Sequence, residues 1–279
     1  MSIAERGQIA PTGTDFALDR PHGSGDLAGV WPVSVVGGLP IAAVDRARSA
    51  DDLIALAVDR RDSGRLPLYV TSANGQVVVL ADRDAQFRSR LLMADAIHAD
   101  GMPMVLLSRL FCRRALPERV ATTDFVHDVF SRSGPHAVRH YLLGATADVI
   151  AAAAANLRAL YPDVEIVGAR HGYISPEAEA EVCAEVAALK PDFLWIGMGV
   201  PREQDFISRN LSRLAGVGVI KTAGGLFDFL SGRKPRAPGW MQTLGLEWLW
   251  RALLEPRRLG WRYLDTNPAA LLLIITRNR

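Results

Sequence analysis

The chain has 279 residues, 49% of them hydrophobic and 22% charged, a composition that excludes a disordered or low-complexity chain and allows one large folded domain or two small ones. Its net charge of +2 hides an asymmetry: residues 233–279 carry nine Lys or Arg against Glu247, Glu255 and Asp265, net +6, and the remainder sums to −4, so the tail is suited to a polyanion: nucleic acid, anionic lipid or a diphosphate. The two cysteines, Cys112 and Cys183, are isolated, which excludes a short-spaced zinc cluster or redox pair and fits a reducing cytoplasm.

Residues 1–30 mix Gly, Pro, Asp and Arg with no apolar segment of signal-peptide length, and are expected to form a flexible N-terminal extension with nothing to argue for export. From Trp31 to Leu230 short apolar runs alternate with longer amphipathic stretches, the pattern of parallel strands joined by crossover helices. Strands are expected at 67–71, 104–107, 140–143, 165–167, 193–196 and 218–222. Helical spacing predicts helices over 86–96, over 148–161 with a stop at Pro162-Asp163, and over 177–189 after a Ser175-Pro176 start. The fold class is α/β: a Rossmann-like parallel-sheet sandwich over 31–230 with a helical, basic C-terminal appendage over 231–279.

The character of the chain changes after Leu230. Four of the six tryptophans (Trp240, Trp248, Trp250, Trp261) lie beyond it among arginines, the mix expected at an interface with a membrane surface. The apolar run from Pro268 to Thr276 is about half the length of a membrane span, so it can dip into a bilayer but not cross it. Leu246, Leu249, Leu253 and Leu254 offer a band for packing on the core, and a chain cut before Arg233 is expected to keep a folded core while losing activity.

Ligands of open parallel sheets sit beyond the carboxyl ends of the strands. Five loops of that kind look chemical: Thr71-Ser72-Ala73-Asn74, Gly144-Ala145-Thr146, His171-Gly172-Tyr173, Gly197 through Gln204, and Ala223 through Asp228. Glycines there let backbone N–H groups approach phosphate, although each turn alone is equally explained by tight packing. Asp100, placed just before an expected strand among small apolar neighbours, is a candidate general base through desolvation, or else a turn-forming Asp-Gly. Asp82-Arg83-Asp84 imitates a metal-holding acid pair but reads better as the acidic N-terminal turn of a helix. His136 and His140 have a metal-like spacing only on a helix, and here they run into a strand.

Taken in order, these motifs resemble the WecG/TagA/CpsF group, glycosyltransferase family 26, over roughly residues 32–268. The resemblance rests on the Ser72-Ala73-Asn74 loop, Asp100-Gly101, Leu116-Pro117-Glu118-Arg119, Leu142-Leu143-Gly144, His171-Gly172-Tyr173, Gly199-Val200-Pro201, Phe227-Asp228-Phe229, Arg236-Ala237-Pro238 and Glu247-Trp248. It implies an inverting transfer from a UDP-sugar to a polyprenyl-diphosphate-linked glycan in bacterial surface-polysaccharide synthesis, at the cytoplasmic face of the plasma membrane. It further implies no essential metal or other cofactor and no nucleic acid partner. Asp100 corresponds to the general base. Thr71, Ser72, Asn74, Arg119, Asp124, Gly144, Tyr173, Gly199, Glu203, Gln204, Gly225 and Asp228 correspond to substrate-binding positions, with Tyr173 and Asp228 at the uridine. Arg233, Arg236, Arg251, Arg257 and Arg258 are the candidates to neutralise diphosphate or meet the membrane.

The chain departs from the family pattern in places. Glu203-Gln204 stands where Gln-Glu is usual, Thr122-Thr123-Asp124 where Gly-Ser/Thr-Asp is usual, and Ser72-Ala73-Asn74 where Thr-Pro-Asn is common. These changes suggest a donor other than N-acetylmannosamine, such as a plain hexose. Two rival functions remain from the residues alone. One is a non-catalytic membrane-surface binding protein. The other is a nucleotide-sugar epimerase or oxidoreductase, disfavoured because Arg202 occupies the third glycine position of a dinucleotide fingerprint.

Overall fold

The computed structural model describes residue 27, residues 30–243 and residues 245–278; the side chains of residues 243, 258, 259, 261 and 262 lie outside that description. The expected N-terminal extension therefore lies outside the described residues apart from Leu27 and Val30. A small antiparallel hairpin, β1 (Val33–Val36) and β2 (Leu39–Ala42), precedes α1 (Arg46–Arg60). The chain then runs β3 (Leu68–Ala73), α2 (Gly75–Arg83), α3 (Ala85–Leu91), β4 (Ala96–Ala99), α4 (Met102–Phe111), α5 (Thr122–Ser133), β5 (Arg139–Gly144), α6 (Ala147–Leu160) and β6 (Glu165–Arg170). It continues through α7 (Glu179–Leu189), β7 (Phe193–Gly197), α8 (Arg202–Asn210), β8 (Val219–Thr222), α9 (Leu226–Leu230), α10 (Gly239–Thr243), α11 (Glu247–Leu254) and α12 (Trp261–Thr276).

Six parallel strands form one sheet in the order β4-β3-β8-β7-β5-β6. Both faces are covered, so the central strands are apolar throughout, as buried parallel strands must be. In β7, Leu194 and Ile196 face one apolar cluster with α2, α3, α4, α7 and α8, while Phe193 and Trp195 face the other with α1, α5 and α6. Connections leave in opposite directions from β3 toward β4 and from β5 toward β6. The carboxyl ends of β8 and β7, which lie between them, floor the crevice where such sheets bind ligands.

Two sequence expectations are corrected near this crevice. The segment 104–107 is not a strand: it lies in α4, which starts at Gly101 with Pro103 in its first turn and buries Met104, Val105 and Ser108. A four-residue apolar run does not by itself distinguish strand from helix. The strand is instead β4, upstream of Asp100, and it begins at residue 96, where the helix was expected to end. The helix already ends at Leu91, and Asp95 stands just before the strand, its Oδ2 accepting from Tyr69 N at 2.8 Å on the neighbouring β3. Likewise the strand-like run before Asp82 belongs to α2, and Asp84 caps α3 by accepting from the N–H groups of Gln86 and Phe87 at 2.8 and 3.0 Å. The helix expected from Glu177 begins at Glu179, after a short turn at 176–178.

The C-terminal segment packs differently from expectation. Leu253 and Leu254 are exposed, whereas Ala270 and Ile274 of α12 are buried in the cluster that includes α2 and α4. Arg83 forms a two-point pair with Asp265, at 2.6 and 3.1 Å, and the N–H of Gly38 donates to Arg277 O at 2.7 Å. This packing argues against a tail that can be cut away without loss to the core.

Candidate active site

Asp100 follows β4 directly, its N–H held by Ala73 O at 2.8 Å, so the ends of β3 and β4 present Ser72, Asn74 and Asp100 side by side. Burial pushes the Asp100 carboxyl up to about 6, against the pull of Arg119, Lys221 and Arg251, with Glu247 adding to the rise. Those four charges come from the loop before α5, from β8 and from α11, so the C-terminal segment reaches the electrostatics of the carboxylate. A carboxyl titrating near neutrality in a cleft is matched to accepting a proton.

Next to it stands Lys221 of β8, fully buried, whose Nζ donates to Ser72 Oγ at 2.7 Å and to Thr222 O at 3.1 Å. Burial lowers the ammonium to about 8, opposed by Asp100 and Glu203. Glu203, at the start of α8, is 2% exposed and ties two loops together: its Oε2 accepts from Gly199 N at 3.2 Å and Gly224 N at 3.0 Å. Burial raises this carboxyl to about 7, although the Gly224 N–H and Lys221 pull it down. Gly199 and Gly224 both have positive φ, +79° and +53°, and nothing stands where a Cβ would be, so their backbones are open to a ligand. Gly144 differs: a Cβ there would lie 2.2 Å from Gly197 O, so its glycine is a packing requirement between β5 and β7.

The other expected residues divide into three groups. Ser72, Asn74, Asp100, Gly199, Glu203 and Gly225 are brought to the crevice, with the Asn74 side chain also capping α2 through Val77 N at 3.2 Å. Thr71 and Gln204 are fully buried, and the Thr71 hydroxyl meets Thr222 Oγ1 at 2.9 Å on the face opposite Ser72. Tyr173 is exposed, with the Arg202 guanidinium 5.7 Å from its ring centroid, and Asp228 pairs with Lys234 at 2.7 Å.

Arg119, Asp124 and Arg236 are engaged with one another. Arg119 pairs with Glu247 and, at 3.3 Å, with Asp124; Arg236 pairs with Asp124 at 2.6 Å and with Glu247 at 3.4 Å. Two arginines and two carboxylates thus clamp α11 and the 235–238 turn onto α5 beside Asp100. Arg233 pairs with Asp148 of α6, and Arg257 is exposed. The side chain of Arg258 lies outside the described residues. Among the described tail arginines, Arg251 reaches the glycine turn: its guanidinium lies over the Phe229 ring at 4.9 Å, and its Nη2 is 3.8 Å from the position of a Cβ on Gly225.

The model of the Glycosyl transferase WecG/TagA/CpsF family matches residues 33–279 of this chain. The chain belongs to that family. A characterised relative from Bacillus subtilis (strain 168), N-acetylglucosaminyldiphosphoundecaprenol N-acetyl-beta-D-mannosaminyltransferase, is 30% identical over 211 residues, covering 76% of this chain and 80% of the relative. The family match includes α12, in keeping with the buried position of Ala270 and Ile274.

Sequence reasoning missed Lys221 and gave Glu247 no role. The signal for Lys221 is a single cation inside the run Val219-Ile220-Lys221-Thr222, in a strand covered on both faces. A lysine is almost never fully buried without a partner. Glu247 carries no such signal: Arg119 is 128 residues away, and the pairing with Arg236, 11 residues away, depends on how the turn at 235–238 folds back.

Proposed function

We propose that this protein transfers a hexose or related sugar from a UDP-sugar to a polyprenyl-diphosphate-linked sugar, with inversion and with Asp100 as general base. The acceptor class is supported by the name of the Bacillus subtilis relative, whose acceptor is a diphosphoundecaprenol-linked N-acetylglucosamine. The observation that carries the chemistry is Asp100 itself: a carboxylate at the carboxyl edge of the sheet, raised to about 6 by burial, on the same edge as the open backbones of Gly199 and Gly224.

In this mechanism the acceptor hydroxyl attacks the anomeric carbon from the face opposite the diphosphate. The O–H proton passes to the Asp100 carboxylate, the new C–O bond forms, and the bond to the diphosphate breaks with its electron pair leaving on UDP. The Gly225 N–H and the Arg251 guanidinium beside it meet the growing charge, and such preorganised groups stabilise it better than mobile water does. No metal is assigned to this step. The substrate's lipid brings the enzyme to the cytoplasmic face of the membrane as a peripheral protein. The described residues contain no helix long and apolar enough to cross a bilayer, and the tail exposes Trp240, Trp248, Leu253 and Leu254 beside Arg257.

The test is a panel of UDP-glucose, UDP-glucuronic acid, UDP-N-acetylglucosamine and UDP-N-acetylmannosamine with polyprenyl-diphosphate-sugar acceptors, following lipid product by mass and UDP release. Acceptor-dependent UDP release with one donor supports the proposal and names the sugar. No product with any donor, together with no UDP binding, overturns it.

A further inference from the structure

We propose that Lys221 is the positioning residue of the Asp100 base: its ammonium, locked between the Ser72 hydroxyl and the Thr222 carbonyl, supplies the fixed positive charge that holds the Asp100 carboxylate ionised. This assignment rests on the base role proposed above and extends it to a residue that no motif of the sequence had marked.

Lys221 is 0% exposed at the centre of the sheet, paired in register with Val70 of β3. Burying an ammonium is expensive, and a methionine of similar length fills the same volume without that cost. Packing therefore does not explain the residue, and the groups around it do. An ammonium has three donors and no acceptor, so Ser72 Oγ must accept from it. The Ser72 hydroxyl also bonds Thr122 Oγ1 at 3.2 Å, which extends the row Lys221, Ser72, Thr122. Ser72 is thus a hydroxyl anchored on two sides, by Lys221 and by Thr122.

Lys221 Nζ bonds Ser72 at 2.7 Å, and the neighbouring Ala73 O accepts from the Asp100 N–H at 2.8 Å, which sets Asp100 beside the ammonium; Asp100 and Glu203 are the carboxylates whose charge acts on it. His98 of β4 lies within its field and is held neutral, first by burial and then by Lys221, while its Nε2 meets Ser49 Oγ at 3.0 Å. The remaining charges on Asp100 are Arg119 and Arg251, which favour the carboxylate, and Glu247, which opposes it. Arg119 is itself neutralised by Glu247 and Asp124, and Arg251 belongs to the C-terminal segment, so Lys221 is the cation built into the sheet. An opposite charge at close range typically moves a carboxyl by about 1–3 pH units.

The experiment is titration of the aspartate side-chain carboxyl 13C resonances in wild type, Lys221→Met and Lys221→Gln, with Asp100→Asn identifying the Asp100 signal, alongside the pH profile of kcat/KM. Asp100 is expected to titrate at least ~1 pH unit higher in both neutral variants, with the acid limb of the profile moving equally. The glutamine keeps a donor for Ser72 without the charge, so it separates electrostatics from hydrogen bonding and also serves if methionine packs badly. Wild-type titration of Asp100 in both variants, or in the glutamine variant alone, overturns the assignment. Full transfer by Asp100→Asn, with the Asp100 resonance still shifted in the Lys221 variants, would sink the base role and leave the coupling standing.

Discussion

Replacing Asp100 with asparagine should stabilise the protein at neutral pH while disabling it. The folded carboxyl is raised from the usual 3.8 to about 6, chiefly by burial. Because the folded value lies above the unfolded one, the protonated form is the one that folding favours. The stability it contributes is complete below about pH 4 and is lost as pH rises through 6. At about 1.4 kcal/mol per pH unit, ionised Asp100 costs up to ~3 kcal/mol at pH 7.5, falling to ~1 kcal/mol at pH 4.5. Asparagine keeps the shape without the charge, so at roughly 2 °C per kcal/mol for a chain of this size its Tm should rise by about 5 °C at pH 7.5. Scanning calorimetry at both pH values measures this directly. An unchanged or lower Tm at pH 7.5, or an equal rise at both pH values, would refute a desolvated carboxylate at this position.

Glu247→Gln removes the one charge that raises Asp100 electrostatically, so the acid limb of kcat/KM should move to lower pH, opposite to the Lys221 variants; a shift upward would mean that Glu247 acts only by holding Arg119. Arg251→Met should lower kcat by about 100-fold or more if the guanidinium meets charge developing on the leaving diphosphate, and an effect confined to KM would place it in ground-state binding. Ile274→Ala, at a site 1% exposed between α12 and the core, should lower the unfolding free energy by ~2–5 kcal/mol in urea titration, and a negligible loss would restore the picture of a loosely attached tail.

Much of the sheet was legible because β3, β5, β7 and β8 are short apolar runs bounded by Pro, Gly or polar turns, and their observed ends differ from expectation by one or two residues. The neighbourhood of Asp100 was harder. Ala96-Ile97-His98-Ala99 has no β-branched pair and follows a helix, so nothing local declares a strand; its pairing with β3 does, and that contact is non-local. Asp100 itself was legible as an acid among small apolar residues beside a turn glycine. The clamp of Arg119, Asp124, Arg236 and Glu247 was not, because the two ion pairs that close it, Arg119 with Glu247 and Arg236 with Asp124, span 128 and 112 residues and leave no spacing to read. The tail was misjudged for a related reason. Its amphipathic leucines advertised a packing face, yet Leu253 and Leu254 are exposed and the buried residues include Ala237, Met241, Ala270 and Ile274, the last two on a helix whose exposed leucines are just as apolar.

The most direct test of the central claim is kcat for Asp100→Asn at saturating donor and acceptor, at a pH above 7, with UDP affinity measured in parallel. A base that takes the acceptor proton predicts a loss of roughly 100-fold to 10,000-fold in kcat with UDP binding preserved. Retention of wild-type kcat would show that the proton leaves by another route and that the Asp100 site is not the centre of the reaction.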